Sequence, residues 1–165
     1  MRGGISESKG KFCLSPELRE ISVYGKKEKK LSDYFCTPAV EHMSLSCCDL
    51  KTMKGIAAFS NLRTLELIDM NYLAYISQII DLSNLLEKIK IINSHKIRDF
   101  SVLEKLTKLK SLELSCANKI SNVDFLYKRA VAQGESVLCG DEEFVVYHMP
   151  ETPFMVVLRF EFESD

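Results

Sequence analysis

No apolar run in the sequence approaches the roughly 20 residues that a membrane-spanning helix needs, because Lys, Glu or Asp interrupts every such stretch. Net charge is equally scarce. With 22 basic and 23 acidic side chains the balance is −1, so the chain as a whole has no pull toward nucleic acid or an anionic membrane, and such binding would need a local patch. The opening MRGGISESKGKF lacks the apolar core of a signal peptide, and a cytoplasmic location is expected.

Cysteine pairing motifs are missing too. Cys13, Cys36, Cys47, Cys48, Cys116 and Cys139 are scattered without any C-x-x-C. A core of the expected size needs no disulfide framework, so the six read as reduced thiols, mostly small core fillers. A zinc site built from Cys47, Cys48 and a histidine would lack the usual spaced ligand pairs, and no metal or other cofactor is expected.

Catalytic signatures are absent as well. The sequence has no G-x-x-x-x-G-K-[ST], no G-x-G-x-x-G, no H-E-x-x-H and no G-x-S-x-G. His42, His95 and His148 fall in different segments, and His42 could meet Cys47 or Cys48 only if the chain turned sharply between them. Asp141, Glu142 and Glu143 lie in a turn-like stretch where solvation accounts for them. No catalytic residues are assigned, and the expectation is a protein that is not an enzyme.

What the sequence does have is an ordinary globular composition, 46% hydrophobic and 27% charged, at a length that buries about two-thirds of the unfolded surface. It also has a repeat. Residues 86–97 read LEKIKIINSHKI and residues 109–120 read LKSLELSCANKI, with aliphatics at the first, fourth and sixth places of each. The template extends backwards to LRTLEL (Leu62, Leu65, Leu67), VEHMSL (Val40, Met43, Leu45) and LREISV (Leu18, Ile21, Val23), at intervals of 22, 22, 24 and 23 residues.

These units resemble the leucine-rich repeat family, whose consensus is L-x-x-L-x-L-x-x-N/C-x-L. VEHMSLSCCDL matches throughout, with Cys48 at the Asn/Cys place and Leu50 closing it, whereas Met70, Ser94 and Ala117 occupy that place in later units. Units four and five carry one extra residue before Ile97 and Ile120 and continue as KIRDFSVLEKL and KISNVDFLYK, which look like segments of bacterial repeats. The resemblance covers about residues 14–128.

The residues support the same architecture. Each x-x-L-x-L-x alternates as a half-buried strand does, and the following half spaces its apolar residues three and four apart, as a short helix would. Neither half can bury its apolar side alone, so neighbouring units must stack. The expected fold is α/β: a solenoid of about five leucine-rich repeats with a curved parallel sheet over residues 18–128. An N-terminal cap at 1–17 precedes it. A small β cap at 129–165 follows, built from ESVLCG, EEFVVYHM and FMVVLRFEF with GDEE and PETP as turns.

On such a sheet the residues between the repeated aliphatics face outward. One column reads Tyr24, Ser46, Ile68, Ile92, Ser115, bordered by Glu66, Lys88, Lys90 and Glu113, with His42 on the second strand. Aromatic and aliphatic anchors edged with charge of both signs have the composition of a protein-binding surface. Tyr24, His42, Glu66, Ile68, Lys88, Lys90, Ile92 and Glu113 are therefore the candidate partner-binding residues. The run KKEKK, Lys26 to Lys30, lacks the interleaved aromatics of single-strand binders and reads as a solvated loop.

With no catalytic signature and no membrane span, binding itself is the expected function. The resemblance includes inhibitors that cover an enzyme's active site, and it implies most specifically an inhibitor or immunity protein that neutralises a toxin. The rival readings are a scaffold or ubiquitin-ligase substrate adaptor, an RNA-binding protein using Lys26 to Lys30, and an enzyme working through the C-terminal strands.

Overall fold

In a computed structural model, the described residues are 17–25, 27, 31, 39–116, 144–148 and 155–160, with side chains described through residue 114. Each repeat unit contributes one short strand: β1 Glu20–Tyr24, β2 His42–Ser46, β3 Thr64–Ile68, β4 Lys88–Ile92 and β5 Ser111–Cys116. The second and fourth residues of β1 to β4 are buried, and those between them reach solvent in whole or part.

The five strands pair in parallel with equivalent template positions side by side. Ile21, Met43, Leu65, Ile89 and Leu112 form one buried row, and Val23, Leu45, Leu67, Ile91 and Leu114 form the next. The uneven intervals of the repeat leave this register intact, because the extra residues are absorbed in the turns. The outcome is a parallel, solenoid-like stack with one continuous core.

Two C-terminal strands, β6 Phe144–His148 and β7 Met155–Phe160, lengthen the same sheet. β7 lies parallel to β5, with Val156 and Leu158 in register with Leu112 and Leu114, and β6 runs antiparallel to β7. The full order is β1-β2-β3-β4-β5-β7-β6.

The return half of each unit differs from the helix expected from spacings of three and four. In unit two the fully buried residues are Leu50, Met53, Ile56, Phe59 and Leu62, three apart without exception; in unit four Ile97, Phe100, Leu103, Leu106 and Leu109 repeat the series. A period of three is that of the 3₁₀-helix, in which i and i+3 eclipse. Short 3₁₀ segments form accordingly at Ile56–Ala58, Ser77–Leu82 and Ser101–Lys105. Many buried residues also donate their N–H to the carbonyl of the preceding buried one, as Phe59 does to Ile56 at 3.0 Å and Leu103 to Phe100 at 3.0 Å. No α-helix occurs among the described residues.

The extra residue also enters one unit sooner than the sequence pattern implied. Leu73, fully buried, occupies in unit three the place of Ile97 in unit four, and each donates its N–H to the carbonyl three residues back, Met70 and Ser94 respectively.

Every strand from β1 to β4 ends on the same device. Gly25, Cys47, Asp69 and Asn93, each the first residue after its strand, adopt positive φ of 62°, 54°, 52° and 49°. That left-handed step turns the chain while the N–H of the first three still reaches the last carbonyl of the next strand, Ser46, Ile68 and Ile92, at 2.9–3.0 Å. Glycine, Asp and Asn tolerate the conformation well, whereas Cys47 holds it at a cost.

The expected N-terminal cap before residue 17, the repeat from Ala117 onward, the strand ESVLCG and the turns GDEE and PETP lie outside the described residues, as do Cys13, Cys36, Cys139 and most of Lys26 to Lys30.

Candidate functional site

Strand pairing arranges the outward positions into columns. At the C-terminal end of the strands Tyr24, Ser46, Ile68 and Ile92 stand in line, joined in register by Ser115; in the middle are Ser22, Ser44, Glu66, Lys90 and Glu113; at the N-terminal end are Glu20, His42, Thr64, Lys88 and Ser111. All eight candidate residues therefore share one face of the sheet. Tyr24 is 77% exposed, while Ile68 and Ile92 are half-buried side by side. The two isoleucines shield each other across the β3–β4 pair, which is how an apolar strip persists on a solvent face.

The charges on this face divide into two kinds. Lys90 Nζ lies 3.0 Å from Glu113 Oε2, and both side chains are partly buried, so this pair is satisfied within the protein. Among the described residues Glu20, Glu66 and Lys88 form no ion pair. The short Ser44 and Thr64 lie between them, leaving an open depression of about 420 Å³ lined also by Glu20, His42, Glu66 and Lys88.

Tyr24 has a chemical neighbour that spacing did not reveal. The Cys47 side chain beside it raises the phenol above its usual pKa of 10.0, by hydrogen bonding first and by charge second. Cys47 is half-buried at the strand end, whereas Cys48 is in the core with its thiol 3.4 Å from the carbonyl of Ser46 and 3.8 Å from that of Val23. His42 begins β2 and Cys47 follows its end, five residues on, so about 16 Å of extended backbone separates imidazole from thiol. The structure does not bring them together as a Cys-His pair. Among the described residues no three His, Cys, Asp or Glu side chains gather as metal ligands.

Two surface features escaped the sequence pattern. Tyr72 and Tyr75, 51% and 66% exposed, project from the turn after β3, and Lys96 Nζ lies 5.0 Å from the Tyr72 ring centre. They carried no periodic signal, because Tyr72 sits in a turn and Tyr75 in an isolated bridge to Thr52. The residue preceding each strand forms a second feature, a column of alternating charge: Arg19, Glu41, Arg63, Glu87 and Lys110. Arg19 pairs with Glu41 at 3.3 Å, and Glu87 takes both Arg63 and Lys110. A two-way comparison of adjacent units, not the aliphatic template, would have exposed it.

Of the basic run, only Lys27 is among the described residues, and it is exposed. No helix among the described residues is long and apolar enough to cross a membrane. Compared with protein-family models, curated proteins and solved structures, the chain matches none.

Proposed function

We propose that the chain is a leucine-rich repeat protein of non-enzymatic function that grips a protein partner through the outer face of β1 to β5. The observation that carries this reading is the apolar strip of Tyr24, Ile68 and Ile92, held on solvent-facing positions of a rigid sheet and bordered by charges. Interfaces with central apolar anchors and a polar rim have this composition. The more specific proposal, an inhibitor or immunity protein that neutralises a toxin, draws on the likeness of KIRDFSVLEKL to bacterial repeats and on a face spread over five parallel strands.

The test is capture from native lysate by the intact chain, with a Lys90→Glu, Ile92→Asp double variant as control. The expected result is a stoichiometric partner that the parent retains and the variant loses, and whose enzymatic or toxic activity falls when the parent is added. Equal capture by both proteins would remove this face from consideration.

A further inference from the structure

The unpaired charges on the binding face specify what the partner must present. Glu20 and Glu66 border the depression and form no ion pair among the described residues, and Lys90, the register partner of Glu66 on β4, is already committed to Glu113. Lys88 is the one cation in the lining, on the far strand from Glu20. The short Ser44 and Thr64 offer hydroxyl oxygens between the two carboxylates. A planar guanidinium can donate to a carboxylate and to hydroxyl oxygens at once, which an ammonium ion does less well.

The apolar strip fixes the other half of the ligand. Ile68 is two residues along β3 from Glu66, and Ile92 is one strand over, so the step from depression to strip is about 7–10 Å. That equals two to three residues of extended chain.

We propose that, if this face is the docking site, it receives a projecting protein segment carrying an arginine followed or preceded, two to three positions away, by a large apolar residue. The arginine enters the depression between Glu20 and Glu66, and the apolar side chain covers Ile68 and Ile92. Lys88, at the opposite side of the depression, repels the cation and so orients the segment across the strands. The inference rests on the proposed face but goes further, because it names the chemistry of the partner's contacting segment.

Panning a random heptapeptide phage library against the intact chain tests it without knowledge of the partner. The expected selection is peptides with Arg spaced two or three positions from an aromatic or aliphatic residue. Their binding should weaken with salt, and fall about five- to tenfold with Glu66→Gln and with Glu20→Gln, the scale of a lost charge-assisted contact. Tyr75→Ala, away from the face, should leave it unchanged. Selected peptides that are acidic, or basic ones indifferent to both Gln variants, overturn the arginine assignment; their loss with Ile92→Asp would still uphold the face. A selection with no peptide sensitive to Ile92→Asp overturns the assignment and the face together.

Discussion

Ser94 shows how one atom can hold two units together. It is fully buried, its hydroxyl donates to the carbonyl of Ile92 at 3.0 Å, and it accepts from the N–H of Met70 in the preceding unit at 3.3 Å. The carbonyl of Ile92 also accepts from Asp69, so removal of the hydroxyl orphans the Met70 N–H. Ser94→Ala should destabilise the protein by about 1–3 kcal/mol, read as a lower urea midpoint with unchanged slope. The sequence marked Ser94 only as a departure from the Asn/Cys consensus; its linking role emerges from the positions of atoms in two units. Tyr24 and Cys47 make a similar case, being 23 residues apart in sequence with no pattern to connect them. Replacing Cys47 by Ala should lower the Tyr24 phenol toward its ordinary pKa, followed by NMR titration of the ring carbon bearing the hydroxyl.

The column preceding the strands is stabilised in a pH-dependent way. The hydrogen bonds from Lys110 and then Arg63 hold the Glu87 carboxyl below its usual pKa of 4.5. A carboxyl with a depressed folded-state pKa adds stability that is fully present above its unfolded pKa and is lost as pH falls through the folded value. Acid unfolding should therefore begin at higher pH in Glu87→Gln, whose stability should vary less between neutral pH and the acid range; the measurement is a set of urea midpoints across pH. In the return halves, by contrast, stability comes from burial at a period of three. Phe100 is 1% exposed in the middle of such a series, and Phe100→Ala should cost about 3–5 kcal/mol by thermal or chemical denaturation. The sequence made the strands legible because a period of two survives in six residues. It made the type of the return helix ambiguous, since spacings of three and four coexist around Leu82, Leu85 and Leu86 in unit three, and tertiary stacking selects the tighter 3₁₀ form.

At the scale of the molecule, stability depends on how many neighbours a unit has. Leu65 in β3 is 0% exposed between two units, whereas Ile21 in β1 keeps 8% exposure and, among the described residues, has a strand on one side only. Leu65→Ala should cost about 2–5 kcal/mol, and Ile21→Ala clearly less, when both are measured by the same urea titration. Residues on the outer face stand apart from this core, so Ile92→Asp should change stability by only about 1 kcal/mol while removing the proposed partner binding. That separation allows the face to be tested without unfolding the protein. By itself, the sequence determined the stacked units, their strands and which strand residues point outward, because a fixed repeat of aliphatic residues can bury its apolar side only by lining up with its neighbours. The tertiary structure alone decided the pairing of charges, the shielding of Ile68 by Ile92 and the depression beside them, because each depends on side chains more than 20 residues apart meeting across adjacent strands.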